Sequence, residues 1–370
     1  MTPVVAMIGS RGFPGQTGGV ERVLEAVAPR LVAKGRARVR VHCANWLEYE
    51  GEEYRGVQLR RVGGLRTKYG DTFTRSLIAT FRELRSDSDV VHYHSIGSAP
   101  LALLPRLFGK KVVVTVHALD WQRSKWNLVG RTFLRFGEWA SVRFPHRTVV
   151  VGQELKEHLE DVYDRPVTYI PNGAEEREHQ PAHLIHDHGL EPGRYMLFLA
   201  RLVPEKGVHT LIEAFRRLPA DDGCKLAIAG PPWYESEYNR LLHELAADDP
   251  RVVFLGEVDG LLLEELYSNC FAYVLPSEVE GMSLSLLDAL AFGCCIVTSS
   301  IPPNARLVEG AGLTFETGDV DSLEQRLRQI ITDAELVDTL RAAATVRGRR
   351  YSWDTIAEEW ADMYDAVLEG

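Results

Sequence analysis

No stretch of this 370-residue chain reaches 18 uncharged apolar residues; the best candidate, 101–116, is broken by Arg106, Lys110 and Lys111. A membrane-spanning helix is therefore not expected. A basic leader is missing as well, so residues 2–8 read as a first strand and not as a signal peptide. Cysteine is scarce. Its five copies, at 43, 224, 270, 294 and 295, form no CxxC or other metal-ligand spacing. An odd number of scattered thiols suits a reducing cytoplasm. There is no GxxxxGK[ST] phosphate loop, and Gly9 and Gly12 have no third glycine at the spacing of GxGxxG, which disfavours a dinucleotide site. Short repeats and low-complexity tracts are lacking. With 45% hydrophobic and 25% charged residues, 31 Gly and 18 Pro, the composition excludes disorder, collagen and coiled coil as the main architecture. The length is too great for one compact core and suits two domains.

What is present is unevenly charged. Residues 1–170 carry 26 Lys+Arg against 17 Asp+Glu, whereas residues 171–370 carry 16 against 35, giving the overall −10. A net +9 front half suits an anionic partner, although ordinary solvated surface would carry the same charge.

Apolar β-rich runs at 4–8, 39–43, 57–62, 90–92, 112–116, 147–151 and 167–170 alternate with helical periods such as Val20, Val23, Leu24, Val27, Leu31. Pro29 should kink or shorten that helix. The second half repeats the scheme, with strands at 196–200, 226–229, 252–255, 272–275 and 295–298 separated by helices at 208–218, 237–246, 261–267 and 283–291. Such alternation predicts α/β domains with parallel sheets covered on both faces. The expected architecture is two facing Rossmann-like domains, 1–170 and 194–350, with a polar linker at 171–193 and an interdomain cleft that places ligands at the strands' carboxyl ends.

Five segments stand out. The glycine-rich turn from Gly9 to Gly19 opens a helix near Val20 and offers backbone N–H groups to an anion, though such turns are often only tight turns. Arg201 and Lys206 lie on one strand-to-helix loop, a forked guanidinium and a point charge of the kind a diphosphate requires. Glu280 and Asp288 bracket a helix start, with the N–H groups of Gly281, Met282, Ser283 and Leu284 between them. A carboxylate pair so placed can hold sugar hydroxyls while the helix end faces a phosphate. His92 and His94 form an HxH pair with no third ligand nearby, which argues against a metal and leaves His94 beside an acceptor. Residues 126–147 interleave Arg131, Arg135, Arg143 and Arg147 with Trp126, Phe133, Phe136, Trp139 and Phe144, preceded by Lys125. This is either a helix for an anionic membrane interface or a core helix with a basic polar face. No Lys/Arg spacing suits a nucleic-acid groove.

Together Gly18-Gly19-Val20-Glu21, Thr115-Val116-His117, Tyr169-Ile170-Pro171-Asn172-Gly173, Arg201…Lys206-Gly207 and Glu280 with Asp288 resemble a retaining GT-B glycosyltransferase of glycosyltransferase family 4. Residues 10–15 and 116–126 further resemble a bacterial branch of that family that includes rhamnosyltransferases. The resemblance spans essentially the full length and implies a nucleoside diphosphate sugar donor, a hydroxyl acceptor, no cofactor and no metal. It implies catalytic roles for His117, Glu280, Arg201 and Lys206, and donor contacts from Gly18, Gly19, Gly281, Met282, Ser283, Leu284 and Asp288. On the acceptor side stand His94, Asp120, Arg123, Lys125 and Asn172. The family's second glutamate is here Asp288, one methylene shorter. The C-terminal helix, within 351–370, is expected to cross back to the first domain. The implied reaction moves a hexose to a saccharide, lipid-linked or small-molecule hydroxyl, in the cytoplasm or on the inner face of the plasma membrane. A non-catalytic nucleotide-sugar-binding protein, or another GT-B enzyme such as an epimerase or phosphorylase, remains open.

Overall fold

A computed structural model describes residues 2–10, 12–15, 18–46, 49–65, 70–122, 126–220, 223–231 and 237–370. The chain divides into two units, one made of Met1–Gly173 with Trp353–Gly370, the other of Ala174–Ser352.

The first unit is built on eight strands: β1 (Val4–Ile8), β2 (Arg38–Ala44), β3 (Glu53–Tyr54), β4 (Val57–Val62), β5 (Val90–His94), β6 (Lys111–Val116), β7 (Arg147–Val150) and β8 (Thr168–Tyr169). They lie in the order β3-β4-β2-β1-β5-β6-β7-β8. Every pairing is parallel except β3–β4, a short antiparallel hairpin at the sheet's edge. Strand β1 is buried along its whole length and reads as a continuous apolar run, while β5 is equally buried but carries His92 and His94 within it. The register sets His94 opposite Thr115, two residues before His117.

The helix Gly19–Ala33 runs through Pro29 and ends four residues beyond it, contrary to the expected shortening. Proline forfeits one backbone bond there, but the buried stripe of Val23, Leu24, Val27 and Leu31 holds the helix against the core. The chain's last helix, Trp353–Glu369, belongs to this first unit and packs beside Gly19–Ala33. Its buried residues Ile356, Trp360, Met363, Tyr364 and Val367 recur at helical spacing. Arg36 reaches Glu358 and Asp362 at 2.7 Å and Asp365 at 2.9 Å. Those exposed pairs each contribute little, so the buried aromatics carry the attachment; truncating a buried Trp typically costs about 3–5 kcal/mol.

The second unit has six strands, β9 (Tyr195–Leu199), β10 (Lys225–Ala229), β11 (Val252–Gly256), β12 (Ala272–Leu275), β13 (Ile296–Ser299) and β14 (Leu313–Phe315). They form an all-parallel sheet in the order β11-β10-β9-β12-β13-β14. The polar stretch expected as a linker is instead part of this unit from Ala174 onward. Ile185 and Leu190 are fully buried, and the carboxylate of buried Glu265 accepts from the backbone N–H groups of His183, Leu184 and Ile185. A handful of apolar anchors and one buried acceptor are enough to fold a segment whose composition reads as loop.

Candidate active site

In the first unit, β1 runs into Gly9, where a Cβ would stand 2.4 Å from the carbonyl oxygen of His94. The glycine turn and the end of β5 therefore touch through backbone alone. The turn is held by Arg75, which donates to the Ser10 carbonyl at 2.7 Å and is itself paired with Asp71. Gly18 precedes the helix Gly19–Ala33 with no side-chain cap, and the Glu21 carboxylate folds back over it.

Next to this turn stands a column of imidazoles. His92 Nε2 meets Thr115 Oγ1 and His92 Nδ1 meets the Tyr364 hydroxyl, both at 2.7 Å. His94 stacks on His92 and on Trp360, and its Nδ1 lies 3.2 Å from His117 Nε2. Burial pushes His92 down to about 3 and His117 down to about 4, with the Asp120 charge opposing the latter, and holds His94 well below the usual histidine range. All three are neutral at pH 7. His94 Nε2 is buried without a hydrogen-bond partner among the described residues. If His94 Nδ1–H donates to His117, only a lone pair is orphaned; the reverse would orphan a buried N–H, the rarer situation. His117 then carries its hydrogen on Nδ1 and can donate it.

The segment after His117 is anchored from below. Trp121 Nε1 donates to Glu138 Oε2 at 2.5 Å, and the other oxygen of that buried carboxylate meets His158 at 2.8 Å and Tyr163 at 3.1 Å. Arg135 lies 4.6 Å over the Trp121 ring. Asp120 is half-buried in this turn and Asn172 is buried. Arg123 and Lys125 lie outside the described residues.

In the second unit, Arg201 follows β9 and Lys206 closes the short 3-10 turn Pro204–Lys206. Lys206 Nζ lies 2.5 Å from Glu280 Oε1, with the two side chains only 15% and 10% exposed. The loops carrying them are joined by backbone as well, Glu278 N–H donating to the Glu205 carbonyl at 2.9 Å. Gly207, at φ +68°, lets the first loop approach the Pro276 carbonyl.

Ser283 caps the helix Leu284–Ala291, accepting from the Leu286 N–H, while Gly281 is buried and Met282 half-buried. Asp288 is buried in that helix at 8% exposure. Burial pushes the Tyr273 hydroxyl far above its ordinary range; its bond to Ser285 opposes this, while the charges of Glu280 and Asp288 add to it. Both carboxylates thus act on one buried phenol. The structure joins Lys206 with Glu280 and His94 with His117. Sequence reading missed Tyr364, Trp360, Glu138 and Tyr273; Trp360 and Tyr364 reach the site from the distant helix Trp353–Glu369, whereas Glu138 and Tyr273 stand on nearby elements as buried positions whose partners the local pattern does not name.

The model of the family described as Glycosyltransferase Family 4 matches residues 17–178, and that of Glycosyl transferases group 1 matches residues 184–347. An uncharacterized glycosyltransferase, MJ1607, of Methanocaldococcus jannaschii is 27% identical over 237 residues, covering 60% of each chain. The chain thus spans less than two thirds of that relative's length. The GDP-mannose:cellobiosyl-diphosphopolyprenol alpha-mannosyltransferase of Xanthomonas oryzae pv. oryzae is 25% identical, covering 97% of this chain and 96% of its own. The sucrose-phosphate synthase of Thermosynechococcus elongatus shares the fold, with a TM-score of 0.87 at 20% identity over 99% of both chains. With its two Rossmann-like units and both domain families matched in order, the chain belongs to the family 4-type glycosyltransferases of GT-B fold.

Proposed function

We propose that this enzyme transfers a hexose, with retention of configuration, from a nucleoside diphosphate sugar to a hydroxyl acceptor. The observation that carries the reading is the Lys206–Glu280 pair, held on a strand-end loop beside a Ser-capped helix that carries a buried carboxylate. In this reading the second unit holds the donor. Arg201, Lys206 and the N–H groups from Gly281 to Leu284 stabilise charge on the departing diphosphate, Glu280 positions the sugar, and Asp288 takes the ribose hydroxyls. Gly18 and Gly19 face the diphosphate, and His117, as a neutral Nδ1–H donor, holds a sugar hydroxyl. The acceptor oxygen bonds to the anomeric carbon on the face that the diphosphate leaves, and its proton passes to the departing phosphate oxygen. Side-chain and backbone charge does the neutralising, so the chemistry requires no metal and no cofactor.

The first unit takes the acceptor, with His94, Asp120, Arg123, Lys125 and Asn172 on that side. The mannosyltransferase relative named for a diphosphopolyprenol acceptor supports a lipid-linked or saccharide hydroxyl, as in polysaccharide or glycolipid assembly. Such an acceptor would hold the enzyme as a peripheral cytoplasmic protein on the inner face of the plasma membrane.

The test is a thermal-shift screen against GDP, UDP, ADP and dTDP sugars, where a ligand at 100 Kd stabilises by about 2.7 kcal/mol. A transfer assay follows on the donor found, with the product's anomeric configuration read by NMR. Transfer with retention supports the reading. Inversion, sugar interconversion without acceptor, phosphate consumption, or binding without transfer would each replace it.

A further inference from the structure

We propose that the outer layer formed by the helices Asp71–Glu83, Leu103–Leu107 and Leu128–Arg143 docks on an anionic lipid bilayer. A surface helix of a globular unit ordinarily turns its large apolar residues inward and its charges outward. Leu128–Arg143 is arranged otherwise. It buries only two large apolar residues, Leu134 and Val142, beside Gly137, Ala140, Ser141 and Glu138, the helix's one carboxylate. A Cβ at Gly137 would stand 2.1 Å from the Ile96 carbonyl, so at that point close packing leaves no room for a side chain. The outer side instead presents Leu128 at 81% exposure, Val129 at 78% and Phe136 at 48%, interleaved with exposed Arg131, Arg135 and Arg143.

The neighbouring helices extend that face. The rings of Phe73 and Phe133 meet edge-on at 5.5 Å, and Arg106 donates to the carbonyls of Phe144 at 2.8 Å and Pro145 at 3.0 Å. These contacts set the three helices side by side. On them Leu107 is 71% exposed, Phe108 64% and Phe81 56%. Apolar exposure of this extent marks an interaction surface. Residues 101–150 hold nine Lys+Arg against two Asp+Glu, of which Glu138 is buried.

Aromatic and aliphatic groups surrounded by cations match the boundary between acyl chains and anionic headgroups. A second copy fits worse, because a two-fold contact would bring the same arginines face to face. The inference gives the peripheral location proposed above its surface, and rests on that reading only for its biological sense.

The experiment is vesicle co-sedimentation of the full chain without donor or acceptor, so that its outcome is independent of the transferase reading. Phosphatidylcholine vesicles are compared with vesicles containing phosphatidylglycerol, at low and high salt. Binding should require the anionic lipid and weaken with salt. Arg131→Glu with Arg143→Glu should weaken it at least about tenfold. Leu128→Ser with Val129→Ser, at positions too exposed to support the fold, should weaken it without changing the melting temperature. Equal binding to both vesicles, binding to neither, or self-association that the same variants abolish would overturn the proposal.

Discussion

Replacing Gly207 by alanine tests whether the loops carrying Lys206 and Glu280 are coupled through their backbones. The residue stands at φ +68°, and a Cβ there would lie 2.2 Å from the Pro276 carbonyl oxygen. Two costs follow. Placing an L-residue in the left-handed region costs about 1–2 kcal/mol. The contact is with backbone, so one loop must shift, which falls in the range of about 1–3 kcal/mol for overpacked sites. The sum is about 2–5 kcal/mol, or a melting shift of about 5–15 °C for a unit of 150–250 residues. Gly318→Ala provides the comparison. It has φ +78° but nothing within 4 Å of the added Cβ, so it carries the backbone cost alone. Differential scanning calorimetry on the two variants isolates the contact. Since the same shift draws Lys206 away from Glu280, Gly207→Ala should also lower kcat beyond what its stability predicts. If Gly207→Ala melts within about 2 °C of Gly318→Ala and turns over normally, the loops are not coupled as described.

Arg201→Ala and Lys206→Ala should each lower kcat by about 10²-fold or more while leaving the fold intact; steady-state kinetics with circular dichroism checks this, and near-normal turnover in both would remove them from the reaction. Asp288→Ala should raise the donor KM and Asp288→Glu lower it, with kcat little changed because ribose is remote from the reacting carbon. An unchanged KM in Asp288→Ala would end the ribose assignment. Acid should destabilise the first unit as pH falls from about 6.5 to about 4, since the unfolded chain then protonates histidines that the fold keeps neutral down to about 4 at His117 and about 3 at His92. Glu83 adds to the loss lower down. Burial raises its carboxyl, but His42, Ser86 and Arg40 outweigh that and hold it at about 2 against an ordinary 4.5, so its contribution persists above 4.5 and fades toward 2. Urea midpoints at pH 7.5, 5.5 and 4 should fall in that order, and equal midpoints would contradict the sign.

The sheets were legible because buried parallel strands are written as unbroken runs such as Val112 to Val116, which no surface element imitates. The spacing of Glu280 and Asp288 was legible for a similar reason, since a loop glycine followed by helical period fixes where each carboxylate falls. The Lys206–Glu280 pair was not, because 74 residues separate its partners and only the β9–β12 adjacency brings them together. The imidazole column lay half in view. His94 and His117 end neighbouring strands, but the Trp360 and Tyr364 that press on His94 and His92 come from a helix whose periodicity tells that it is buried and not against what. The stretch 126–147 had two readings, and composition does not choose between them, because the tight approach of Ile96 to Gly137 that sets what Leu128–Arg143 buries is not written in its own sequence.

The placement of Trp353–Glu369 has a consequence for the order in which the molecule can be made. A ribosome releases residues 1–173 first, yet the face of their sheet bearing His92 and His94 is finished only by Trp360 and Tyr364, which emerge after the whole intervening unit. The intervening unit, whose strands all lie within Ala174–Ser352, can complete its own core in the meantime. Residues 1–173 thus wait on the helix Trp353–Glu369, and their histidine column stays open on that side until the helix docks. A premature stop near residue 352 would leave the loops of Arg201, Lys206 and Glu280 encoded while depriving the unit built on residues 1–173 of its closing helix, so that damage far downstream in the message is felt near its beginning.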